Sequence, residues 1–106
     1  MYVITRIWDT KPGQARRVAT LAAQVAEIYE KAGQRSPVQI SFNGGTLPGE
    51  INRVWMRWTA ETIDSPYRGS NDLPTTGREF SVEMRELSIR NWIEFEELLS
   101  DDKRQD

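Results

Sequence analysis

An α+β domain, a four-stranded antiparallel sheet with two helices on one face, is the fold this sequence predicts. Four short segments alternate apolar and polar residues with the period of a strand, and two longer ones repeat at the period of a helix. They follow one another as strand, helix, strand, strand, helix, strand. A chain of 106 residues suits one compact domain, which buries roughly 60 to 70% of its unfolded surface. We place that domain at residues 1–100, with a charged tail over 101–106 that is expected to fray.

Residues 2–8 are rich in β-branched and aromatic side chains and end at Asp9, Pro12 and Gly13, a strand closed by a turn. Alternation sets Val3, Thr5 and Ile7 on one face and Ile4, Arg6 and Trp8 on the other. Over residues 14–32, Val18, Leu21, Ala22, Val25, Ile28, Tyr29 and Ala32 recur at steps of three and four, an amphipathic helix with Gly33 suited to the left-handed position after it.

Residues 38–43 alternate again, with Val38, Ile40 and Phe42 against Gln39, Ser41 and Asn43, before a glycine-rich break. Residues 53–61 give the clearest strand, with Val54, Met56, Trp58 and Ala60 facing one way and Arg53, Trp55, Arg57 and Thr59 the other. Residues 64–77 carry two prolines and two glycines without an apolar period, a loop too long for a tight turn. Thr76 with Glu79 forms a capping-box pattern, and Phe80, Met84 and Leu87 then lie on a helical stripe, so residues 77–89 are read as the second helix. Phe80, Val82 and Met84 also alternate, and a strand there is the alternative. Residues 91–98 alternate Ile93 and Phe95 against Trp92, Glu94 and Glu96, the last strand, with a helix through Leu99 as its competitor. This order is the split βαβ, or ferredoxin-like, arrangement.

Cysteine and histidine are absent. That removes disulfides, thiolate nucleophiles, imidazole bases, most zinc sites and histidine-ligated haem, and neither a metal nor a cofactor is expected. A net charge of −2 supplies no positive field for phosphates, so nucleic acid is not an expected partner. No apolar run reaches the roughly 18 residues of a membrane span, and the N-terminus carries no signal pattern, so a cytoplasmic protein without a membrane partner is expected.

Pairing these strands sorts their side chains into two faces. One is predicted to bury the helices with Val3, Ile7, Val38, Ile40, Phe42, Val54, Met56, Trp58, Ile93 and Phe95. The other carries Ile4, Arg6, Trp8, Gln39, Ser41, Asn43, Arg53, Trp55, Arg57, Thr59, Trp92, Glu94 and Glu96. Three tryptophans do not belong on a face that only meets water, so a second copy of the chain is expected to cover it, enclosing a space lined by aromatics and opposite charges.

On the element order across nearly the whole chain, and on the short opening strand, Lys11-Pro12-Gly13 and the alanine-rich helix, the sequence resembles the dimeric α/β-barrel superfamily. That superfamily includes NIPSNAP-like proteins and the antibiotic biosynthesis monooxygenases. The resemblance implies a homodimer closed into a barrel. Members that bind haem do so through a histidine, which this chain lacks. Cofactor-free monooxygenases of this kind resemble the chain in placing Trp, Asn and Arg between the sheets, although no motif here identifies that reaction.

The candidate ligand-binding residues are Arg6, Trp8, Asn43, Trp55, Arg57, Trp92 and Glu94. Arginines facing carboxylates can hold an anionic or carbonyl-bearing small molecule, with a carboxylate as base, or can be an ion-pair network that fixes dimer register. Tryptophans can stack a flat ligand or anchor an interface. Two functions follow: a small-molecule binding protein or enzyme with its site between the sheets, and a non-catalytic dimerisation module. Asn43-Gly44-Gly45 is read as a plain loop, and Tyr67 and Arg68 as surface loop residues.

Overall fold

The computed structural model describes residues 1–33, 37–63 and 77–105. Thr76, Tyr67 and Arg68, singled out above, lie outside them. The elements are β1 (Tyr2–Thr10), α1 (Ala15–Lys31), β2 (Gln39–Asn43), β3 (Arg53–Ala60), α2 (Arg78–Glu86) and β4 (Ser88–Glu97). The strands form one sheet in the order β2-β3-β1-β4, every neighbouring pair antiparallel. This is the ferredoxin-like α+β fold, and residues 78–97 resolve the competing readings as helix, then strand.

Turn chemistry sets the ends of α1. Lys11-Pro12-Gly13 turns the chain out of β1, with Gly13 at φ +80°, and the Gln14 amide donates to the Lys11 carbonyl at 3.1 Å. At the far end Gly33 adopts φ +73° and its amide donates to the Glu30 carbonyl, which stops the helix as its sequence position implied. The face turned to the sheet holds Ala15, Val18, Ala19, Leu21, Ala22 and Ala26, all buried. Four of these are alanines, so the helix backbone can approach the sheet closely while Val18 and Leu21 fill the space between.

The second helix is short. Glu79 in its first turn and Arg85 in its last suit the helix dipole, and Met84 with Phe80 and Leu87 joins the core. The Arg17 fork donates from Nε and Nη2 to the two Glu83 carboxylate oxygens at 2.8 and 3.0 Å, tying α1 to α2 at an exposed seam.

The register corrects the predicted facing of β1. Residues directly opposite in antiparallel strands share a face, and Trp8 lies opposite Val54, Arg6 opposite Met56 and Ile4 opposite Trp58. Val54, Met56 and Trp58 are buried under the helices, so Ile4, Arg6 and Trp8 belong to the helix side, and Val3, Thr5 and Ile7 to the open side. The physical reason is that β1 sits between β3 and β4 and is buried on both faces: Ile4, Thr5, Ile7 and Trp8 are each at most 8% exposed. Alternation cannot orient a strand that is apolar on both sides. The facings predicted for β2, β3 and β4 agree with the register.

Two further features shape the sheet. Between Asp9 and Thr10 the pairing with β4 slips by one residue, from Asp9 opposite Arg90 to Thr10 opposite Ser88, leaving Ile89 as the extra residue of a β-bulge. Asn52, at φ +54°, accepts from the Thr10 amide with its carbonyl and from the Gly13 amide with its side chain, so the entry to β3 is bound to the exit of β1. Beyond β4, Asp101–Lys103 form a 3-10 turn where fraying was expected, and Lys103 pairs with Glu97.

Candidate functional site

The strand register places the open-face side chains in rows that run across the sheet. One row is Asn43, Arg53, Asp9 and Arg90; the next is Ser41, Trp55, Ile7 and Trp92; the third is Gln39, Arg57, Thr5 and Glu94. Successive rows are separated by two residues along each strand, roughly 7 Å. An apolar row thus lies between two charged ones, in the middle of the sheet face opposite the helices.

The first row is an ion-pair cluster. Asp9 accepts from Arg53 Nε at 2.6 Å and from Arg90 Nε at 2.7 Å. Arg53 holds the Asp9 carboxyl below the ordinary carboxylate range, burial opposes this, and Arg90 adds to the lowering. The same carboxylate raises the Arg53 guanidinium. Both guanidiniums stack on the Trp92 ring, at 5.2 Å for Arg53 and 4.8 Å for Arg90 from its centroid. On its other side the Trp92 indole N–H donates to Glu94 Oε2 at 2.6 Å. Trp92 is therefore fixed in orientation by three side chains, one from β3 and two from β4.

In the second row Ile7 is only 3% exposed although no helix covers it, because the two indoles beside it shield it. Trp55 and Trp92 are themselves half-buried. The third row is less satisfied. Thr5 is 4% exposed, and its hydroxyl is buried without a hydrogen-bond partner. Arg57 and Glu94 flank it, yet they form no ion pair with each other within 4 Å among the described residues.

Of the seven residues expected at the site, the fold brings Trp55, Arg57, Trp92 and Glu94 together on this face. Asn43 shares the face but is 5% exposed and committed to its own loop: its side-chain oxygen accepts from the Gly45 amide at 3.0 Å and its amide nitrogen donates to the Leu47 carbonyl at 3.0 Å. Arg6 and Trp8 are on the helix side, where Trp8 is core and Arg6 donates to Asn91 Oδ1 at 2.6 Å. Sequence reasoning missed Asp9, Thr5 and Ile7. In the sequence Asp9 reads as the turn residue closing the strand; a carboxylate two positions beyond Ile7, with arginines at 53 and 90, is the available signal.

Among the described residues no group of carboxylates converges as a metal site, and no helix is long and apolar enough to cross a membrane. No family model and no curated protein matches this sequence. Solved structures do. A protein from Agrobacterium tumefaciens superposes with a TM-score of 0.72 at 16% identity, over 95% of this chain and 96% of that one. An uncharacterised NIPSNAP domain protein from Burkholderia xenovorans gives 0.63 at 14% identity over the full length of both chains. A NIPSNAP family protein from Agrobacterium tumefaciens strain C58 gives 0.64 at 16% identity, covering 94% of this chain and 93% of that one. The chain therefore shares its ferredoxin-like fold with the NIPSNAP-type structures over nearly its whole length.

Proposed function

We propose that this chain is a small-molecule binding protein or enzyme that works as a homodimer, its ligand held between two open sheet faces. The observation that carries this is the apolar row Trp55, Ile7 and Trp92, set between charged rows on a face that neither helix covers. Indoles offer a flat ligand a stacking surface, and the neighbouring polar groups can orient it. A twofold copy presenting the same face closes the space and keeps the indoles from water.

Sedimentation, iodide quenching and native mass spectrometry of protein purified from cells test the reading together. A dimer mass, four shielded tryptophans and a co-purified small molecule are the expected results. A lone protomer whose Trp55 and Trp92 are freely quenched removes the enclosed site. Cofactor-free oxygenation is the reaction to test first on any recovered ligand, through oxygen uptake without added metal or flavin.

A second reading is a non-catalytic dimerisation module. It is favoured by self-complementary charge, since Arg57 on β3 and Glu94 and Glu96 on β4 occupy one face and a twofold rotation can bring them together. Under it Arg57→Ala weakens the dimer, and a screen of flat metabolites yields no ligand-specific thermal shift.

A further inference from the structure

We infer that the row Arg57, Thr5 and Glu94 is the polar end of the ligand site, and that it recognises a carboxylate borne by a planar apolar body. This rests on the proposed ligand site and names the class of molecule it takes. Two independent features of the row point the same way. The Thr5 hydroxyl is a buried donor without an acceptor, an arrangement that folded proteins rarely leave unsatisfied. Arg57, directly opposite it on β3, is half-buried and has no carboxylate within ion-pair distance among the described residues.

The neighbouring row shows the contrast. There Arg53 and Arg90 each pair with Asp9 through Nε and stack on Trp92, so both guanidiniums already have a carboxylate. Glu94, the only acid beside Thr5 in its row, is drawn aside by the Trp92 indole N–H. What remains unmatched is one guanidinium and one hydroxyl, both donors. An acceptor with two oxygens satisfies both: one oxygen takes the Arg57 fork and the other the Thr5 proton.

Access follows from the same lack of partners. The Thr5 hydroxyl is sealed in the free protomer, and Arg57 is one of its two flanking side chains. Swinging Arg57 outward breaks no ion pair, and the arriving carboxylate then holds it in its new position. The body of the ligand falls on the adjacent row, where Trp55 and Trp92 lie one step along the strands. That row holds no cation to pair with a second carboxylate on the ligand, so a monoacid fits better than a diacid.

Isothermal titration with 1-naphthoate and 1-naphthamide tests this, because the two probes share their body and differ in the carboxylate. The naphthoate is expected to bind at least about tenfold more tightly, the effect of a charge-assisted contact. Arg57→Gln should remove that preference while leaving naphthamide binding in place. Arg57→Lys keeps the charge without the fork, retains part of the preference and guards against a folding artefact. Thr5→Val should weaken naphthoate several-fold and naphthamide little. Equal binding of both probes to the parent protein, or a preference that survives Arg57→Gln, overturns the carboxylate site but leaves the ligand site standing. Binding of neither probe, with Arg57→Gln instead dissociating the dimer, shows that a glutamate of the second copy takes Arg57, and it overturns both.

Discussion

On the helix side of the sheet, Val54, Met56 and Trp58 disappear beneath α1 and are joined by Ile4 and Trp8, an apolar layer beside which Arg6 is held by Asn91. One residue along the same strands, Arg53, Trp55 and Arg57 stand beside Asp9, Ile7 and Thr5 on the opposite face, where ion pairs, stacked cations and two indoles do the ordering. The helix side is stabilised by excluding water and is complete within one protomer. The open side is organised in its Asp9 row, apolar in its Ile7 row and unsatisfied in its Thr5 row. On the proposed reading, a ligand and a second copy complete that graded face.

If the helix side carries the stability, Leu21→Ala should have the largest effect, about 3 kcal/mol, because a fully buried side chain leaves a cavity. Urea unfolding checks it, and a loss below about 1 kcal/mol would break the comparison. On the open side Asp9→Asn should cost about 2 kcal/mol at neutral pH, since two guanidiniums lose a charged acceptor. The pH dependence has a definite sign. The folded-state value of Asp9 is lowered from 3.8, so its contribution is whole above that value and is lost as pH falls through the depressed one. Unfolding curves of parent and variant should therefore converge in strong acid.

Thr5→Val tests the unsatisfied row and has the opposite sign. Removing a buried hydroxyl without a partner should stabilise the free protein by about 1 kcal/mol, read as a higher Tm. A lower Tm would mean that the hydroxyl is already satisfied. Arg17→Ala should show the smallest effect, because the pair with Glu83 is exposed. Whatever shift in Tm it causes should vanish near 1 M salt, where the Debye length is about 3 Å.

The elements were legible because each carries its own period. Val54, Met56 and Trp58 oriented β3, and the alanine-rich stripe oriented α1. The face of β1 was not legible, because the strand is buried on both sides, and Val3, Ile7, Ile4 and Trp8 offer no polar side to point outward. Its orientation comes from which residue of β3 meets which of β1, a long-range fact. Arg6 and Trp8 were assigned to the site on that missing information, and Thr5 and Ile7 were left out of it. Trp55, Arg57, Trp92 and Glu94 stand on the face the sequence assigns them because their strands each have one clear apolar side.

The extra residue at Ile89 has a consequence for how this face could change. Ser88 aligns with Thr10 and Arg90 with Asp9, so the bulge reverses the phase of everything downstream in β4. Deleting Ile89 would restore an unbroken ladder in which Ser88 still meets Thr10 and Arg90 still meets Asp9, so the remainder keeps its facing. Arg90, Trp92 and Glu94 would stay on the open side, with Asn91, Ile93 and Phe95 on the other. The final strand can therefore lose that residue without turning its indole and carboxylate away from whatever approaches the sheet.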